Sequence, residues 1–206
     1  MPFPIIHSFA GYSIYKLSAK SNSDPSWKLL VLSIVLANLA DLDFLPGVFS
    51  RNALRFHRHS THSLAACLFV GLFIGGLYWL FRKGSFLRSF LVSFAVYFSH
   101  VFLDFFSTDG VPLFWPLSSA RFVSPVLLFF GGHSSLHRVH DFRSFFLFFL
   151  NPRTLHILFF EMFTVFFILT LVTVVQEYKM KLSLKRSMAL IRFAQAMIFF
   201  VGFVMT

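Results

Sequence analysis

The chain alternates long apolar runs with short polar stretches. Residues 64–81 carry no charged side chain, and residues 156–175 carry only Glu161 and a terminal His156. Each meets the length of roughly 17–25 residues that a helix needs to cross the hydrocarbon core of a bilayer. A third run, 86–106, is apolar but contains Arg88, His100 and Asp104, and a fourth, 189–204, is interrupted by Arg192 and Gln195. Residues 29–40 form only a short run, expected to be a tilted, re-entrant or partly buried helix. Turn chemistry separates the runs: Ser21-Asn22-Ser23-Asp24-Pro25 after an N-terminal helix candidate, then Leu45-Pro46-Gly47, Asp109-Gly110-Val111-Pro112 and Gly131-Gly132. The pattern predicts an all-α integral membrane bundle with about four to five membrane-embedded helices. One domain is expected over residues 1–206, with the chemistry-bearing motifs in 1–120 and an interfacial stretch and further membrane helices in 121–206.

Composition supports this reading. Of 206 residues, 57% are hydrophobic, 33 are Phe and only 13% are charged. A soluble domain carries about a quarter charged residues, so lipid must act as solvent for much of this surface. The net charge of +10 does not redirect the argument toward nucleic acid. Recognition of nucleic acid needs Lys and Arg gathered on one soluble face; here they sit between apolar runs, as in Arg82-Lys83 with Arg88, and in Lys179, Lys181, Lys185 and Arg186. That placement suits loops at an anionic membrane surface. The single cysteine, Cys67, lies inside an apolar run and cannot form an intramolecular disulfide. No basic segment precedes an apolar core at the N-terminus, so insertion is expected to be directed by the internal spans.

Threading the runs brings scattered polar residues together. Runs 64–81 and 86–106 should form a hairpin about a tight basic turn, which returns His100 and Asp104 to the end where His57, His59 and His62 enter. Asp41 and Asp43 close the short run at the same membrane face. The turn near Arg82 and the loop near Arg186 lie opposite, which favours a cytoplasmic side for them and an outward His/Asp end. Arg51, Arg55, Arg58, Arg121, Arg138, Arg143 and Arg153 on the His/Asp side offset that asymmetry.

Only eight acidic residues exist, and Asp41, Asp43 and Asp104 lie in apolar surroundings with His nearby. An ionised carboxylate there is costly unless paired or metal-bound. Imidazole with carboxylate is a common ligand set for zinc. In Ser99-His100-Val101-Phe102-Leu103-Asp104 the His and Asp are four apart and share a helical face, fit for one ion or for a simple His–Asp hydrogen bond. His57 and His62 are five apart, so they can converge only if His57 lies in the entering loop and His62 in the first turn. Ser60 or Thr61 is the expected N-cap, and the positive end of that helix should keep His62 neutral. Arg58 and the free N–H groups there could hold a phosphate. Asp41 and Asp43 could supply two ligands, or one ligand and a base. His133, His137 and His140 could share a helical face, read here as a polar amphipathic helix at the interface.

The ordered set Ile6-His7-Ser8, Asp41-Leu42-Asp43, His57-Arg58-x-x-Thr61-His62-Ser63, Ser99-His100-x-x-x-Asp104 and Gly110-Val111-Pro112-Leu113-x-Trp115-Pro116 resembles the YdjM-type family over roughly the first 120 residues. The resemblance implies a bacterial inner-membrane, metal-dependent hydrolase distantly similar to zinc-dependent phospholipases C. It implies His7, Asp41, His62, His100 and Asp104 as ligands, with Asp43 and His57 as ligand or base. His59 departs from the family pattern, where a Gly is usual, and Phe44 stands where a polar residue is frequent. The expected activity is hydrolysis of a phosphoester on a membrane lipid or lipid-linked molecule by one or more zinc ions, with Asp43 as base and Arg58 or Arg121 on the phosphoryl oxygens. The alternative is a non-catalytic membrane protein, a transporter or metal-binding partner module. Haem ligation suits the Asp-rich set less well.

Overall fold

Helices follow the apolar runs because, in lipid, each backbone N–H and C=O must be satisfied within its own segment. The computed structural model describes residues 4–18, 26–50, 55–82, 84–127, 142–180 and 186–205. Helix α1 spans Pro4–Ser18 and α2 spans Trp27–Asn38; a 3-10 turn, Leu39–Phe44, leads into the short α3, Leu45–Phe49. A second 3-10 turn, Ser60–His62, precedes α4, Leu64–Arg82, and α5 is Phe86–Phe105. Further on lie α6, Phe142–Phe149, α7, Pro152–Met180, and α8, Arg186–Met205. Among the described residues there is no strand, only an isolated antiparallel bridge between Val111 and Phe122. Residues 128–141, which include His133, His137 and His140, lie outside the described residues.

Two compact units are present, Met1–Phe145 and Phe146–Thr206. In the first, three helical stretches are long and apolar enough to cross a membrane: Trp27–Phe49, Leu64–Arg82 and Phe86–Phe105. The first of these corrects the expectation of a short run at 29–40. Pro46 falls in the opening turn of α3, where a missing N–H is harmless, so Leu45-Pro46-Gly47 starts a helix instead of ending one. In the second unit α7 is 29 residues long and contains the predicted 156–175 run. It packs antiparallel to α8, since Phe163 meets Phe200 while Phe160 meets Phe203.

The hairpin of α4 and α5 depends on close approach. A Cβ added at Gly75 would lie 2.6 Å from Phe90 Cα, and one at Gly71 would lie 2.9 Å from Phe94 Cβ. Their spacing is that of small residues where membrane helices touch. Above them α5 divides by face. Phe86, Phe90, Phe94, Phe98 and Phe102 form a ladder of neighbouring rings. Ser93, Val96, Tyr97, His100, Val101 and Asp104 form the buried face. Helix α1 lies against α2 and α5, and Asn38 Nδ2 donates to Ser8 Oγ at 2.9 Å. The Arg88 side chain donates to the Ser18 carbonyl, tying the C-terminus of α1 to the start of α5.

Gly75→Leu should therefore destabilise the hairpin by about 1–3 kcal/mol, the usual range for overpacking. Gly84→Leu, with no atom within 4 Å of its added Cβ, should not. Thermal unfolding of the two variants in detergent is the comparison; equal midpoints would mean that the α4–α5 contact is not close.

Candidate metal centre

The cluster forms where three chain segments end. Helix α5 supplies His100 and Asp104 from one face, the 3-10 turn after α2 supplies Asp41 and Asp43, and the entry to α4 supplies His57, Arg58 and His62. Ser63, not Ser60 or Thr61, caps α4: its Oγ accepts from the Ala66 N–H at 3.1 Å. Ser60 and Thr61 are instead wound into the preceding 3-10 turn.

Four ligand atoms, one each from Asp41, His62, His100 and Asp104, lie mutually within 4.8 Å. His100 Nε2 is 3.2 Å from His62 Nε2, 3.4 Å from Asp41 Oδ1 and 3.9 Å from Asp104 Oδ2. His62 Nε2 is 3.3 Å from Asp104 Oδ2 and 3.6 Å from Asp41 Oδ1. A tetrahedral zinc with bonds of about 2.0–2.1 Å sets its ligand atoms about 3.3 Å apart. The donor set and its spacing fit such an ion. The side chains are at most 7% exposed, so water cannot solvate this charge freely.

The hydrogen bonds assign the tautomers. His100 Nδ1 donates to the Ala37 carbonyl at 2.7 Å, which leaves Nε2 as a lone pair aimed at the cluster. Thr61 Oγ1 donates to Asp43 Oδ2 at 2.5 Å and lies 3.0 Å from His62 Nδ1. Thr61 Oγ1 thus accepts a hydrogen bond from His62 Nδ1–H, which directs the Nε2 lone pair of His62 inward as well. Such outer partners orient metal-binding histidines. Two imidazole lone pairs and two carboxylate oxygens then face one another, an arrangement that only a cation or a proton relieves.

The other predicted residues surround this core. Asp43 accepts from the Arg58 N–H at 3.0 Å and from Thr61, and its Oδ1 is 2.6 Å from His57 Nδ1. Asp43, His57 and His62 form a second group able to hold an ion. His7, fully buried on α1, stacks on His100 with ring centroids 3.8 Å apart, and its Nε2 is 3.8 Å from Asp104 Oδ1. Arg58 is fully buried in a left-handed conformation, φ 59°. Its Nη2 is 2.8 Å from Asp104 Oδ2, and its Nη1 donates to Ser107 Oγ at 3.1 Å and to the Gly110 carbonyl at 3.3 Å. The guanidinium is therefore directed at a ligand carboxylate, and Arg121 is exposed. His59 is exposed too. Thr61 and the Ala37 carbonyl were not foreseen as site groups; Thr61 lay within the His57–Ser63 motif, whereas a backbone carbonyl has no sequence signal.

One expectation is reversed. Burial disfavours charge on His62, but its hydrogen bonds to Asp104, Asp41 and Asp43 outweigh this and hold its pKa well above the usual value. The carboxylates, closer than the helix end, keep the ring protonated when no metal competes.

A helical membrane protein with a buried His/Asp centre is thereby defined. Across residues 1–205 the chain matches the model of the YdjM inner membrane protein family, and it belongs to that family. No curated protein and no solved structure matches it.

Two outcomes follow for protein purified in detergent. His100→Ala and Asp104→Ala should each lower the bound divalent metal measured by elemental analysis; unchanged content in both would exclude the site as drawn. Metal must displace the His62 proton, so affinity should fall as pH is lowered through and below the raised His62 pKa. Calorimetry in buffers of different ionisation heat should record proton release on binding, and a pH-independent affinity without release would contradict the assignment.

Proposed function

We propose that this protein is a membrane-bound zinc phosphoesterase acting on a lipid or lipid-linked substrate. The observation that supports it is the convergence of His62 Nε2, His100 Nε2 and the Asp41 and Asp104 carboxylates beside a second carboxylate–imidazole pair, Asp43 and His57. Bound zinc lowers the pKa of water and polarises a phosphoryl oxygen. The chain's own residues divide the remaining work. Asp43 Oδ1 and His57 Nδ1, 2.6 Å apart, serve as the base couple. Arg58 balances Asp104, so that the ligand carboxylate stays ionised in a buried setting. Ala37 and Thr61 keep the two imidazoles in register.

A screen of phosphoesters in mixed lipid–detergent micelles, with chelator and zinc add-back, tests the reading. Turnover should vanish with chelator and return with zinc. His57→Ala should reduce it by about 10²–10⁴-fold, the range for general-base removal, with metal retained on the four-residue set. Metal bound without turnover of any phosphoester would reject the enzymatic reading. One observation favours that second outcome: four protein ligands in a closed, buried set are the usual form of a non-catalytic zinc site.

A further inference from the structure

The Trp115-Pro116 motif and the loop around it take no part in the chemistry above. This loop is tied to the cluster end of the α4–α5 hairpin. The Leu64 N–H at the start of α4 donates to the Leu113 carbonyl at 2.9 Å, and the Ser124 N–H donates to the Phe105 carbonyl at the end of α5, also at 2.9 Å. Val111 and Phe122 exchange both backbone hydrogen bonds, closing the loop on itself. A loop in water is expected to be polar, yet this one exposes Phe114, Trp115, Val126 and Leu127, with Leu117 93% exposed, and Arg121 stands among them.

The three tryptophans sort with this loop. Trp27 is 67% exposed at the start of α2, and Trp79 is 47% exposed in the last turn of α4. Both lie at the end away from the cluster, and Trp79 is about 22 Å along α4 from Leu64 at 1.5 Å per residue. Trp115, 41% exposed, lies at the cluster end. Exposed Trp at two levels, separated by most of a hydrocarbon core and joined by the exposed apolar surface of Leu68, Phe69, Leu72 and Phe73, is the pattern of two interfacial belts.

We infer that residues 113–127 form an interfacial platform seated in the phospholipid headgroup layer. The occupant of its apolar surface is the bilayer in which α4 and α5 already stand, and Arg121 meets the lipid phosphates. The platform fixes the His/Asp centre at headgroup depth. Resting on the phosphoesterase reading, it narrows the substrate class to a phosphoester carried at the membrane surface by a lipid.

The test uses full-length protein carrying Trp27→Phe and Trp79→Phe, two exposed positions, so that Trp115 is the sole reporter. The protein is reconstituted in vesicles of phosphatidylethanolamine and phosphatidylglycerol containing brominated phospholipid, and unchanged circular dichroism verifies its fold. Trp115 emission should be lost most strongly with bromine near the top of the acyl chain, less with bromine near the terminal methyl, and little with aqueous iodide. Strong iodide quenching without bromolipid quenching would overturn the inference by placing the loop in water. Resistance to both quenchers would overturn it in favour of a protein cover, and strongest quenching by deep bromine would overturn it as well. No hydrolysis is measured, so this result and the phosphoester screen fail independently.

Discussion

Repulsion among hydrogen-bond acceptors crowded into one buried point governs the structure around the cluster. Two carboxylates about 4 Å apart repel by about 4 kcal/mol at an effective dielectric of 20, before any cost of leaving water. Asp41 and Asp104 each place a ligand oxygen within 4.8 Å of the other, and each also lies within 4 Å of His62 and His100. Arg58 meets the Asp104 carboxylate at 2.8 Å and also lies 3.6 Å from Asp109, while Asp43 is held by His57 at 2.6 Å, so Asp41 is the carboxylate left to the two imidazoles of the cluster. The spacing of the four atoms is what makes this point able to hold a metal ion.

Helix geometry explains how Asp41 and Asp43, two apart, both reach the cluster while facing different sides of it. On an α-helix, residues two apart lie about 160° from each other after two steps of 100°; on a 3-10 helix, with three residues per turn, they diverge by about 120°. Asp41 and Asp43 sit on such a turn. One reaches His62 and His100 across the bundle, while the other turns to His57, Thr61 and the Arg58 backbone. Helix α5, by contrast, stays regular, so His100 and Asp104 four apart remain on one face and both enter the cluster.

These differences mark the reach of sequence reasoning. His100 with Asp104 was readable because the pair depends only on helical spacing, and the α4–α5 hairpin because two apolar runs flank a tight polar turn. The gathering of His57, His62 and the aspartates at one end follows from that threading. The direction of Arg58 was not readable: it depends on a left-handed backbone at Arg58 and on Ser107 and Gly110, about fifty residues away. The membrane-length Trp27–Phe49 stretch was missed because Pro46 looks identical whether it ends a helix or opens one. The raised pKa of metal-free His62 is not legible in sequence, because it comes from carboxylates that only tertiary structure brings near.

The raised pKa of His62 explains how such a cluster can exist without a metal. An unpartnered buried acceptor cluster would oppose folding, since each unsatisfied charged group is costly in a low-dielectric interior. A protonated His62 turns one of the four facing atoms into a donor and supplies a positive charge among the carboxylates. The backbone anchor at Ala37, the Thr61 link and the Arg58–Asp104 pair are all set without metal, so little rearrangement is left for binding. Preorganisation of this kind favours tight association by reducing ordering costs. This end of the bundle could thus exchange one proton for one cation with the surrounding hydrogen bonds unchanged.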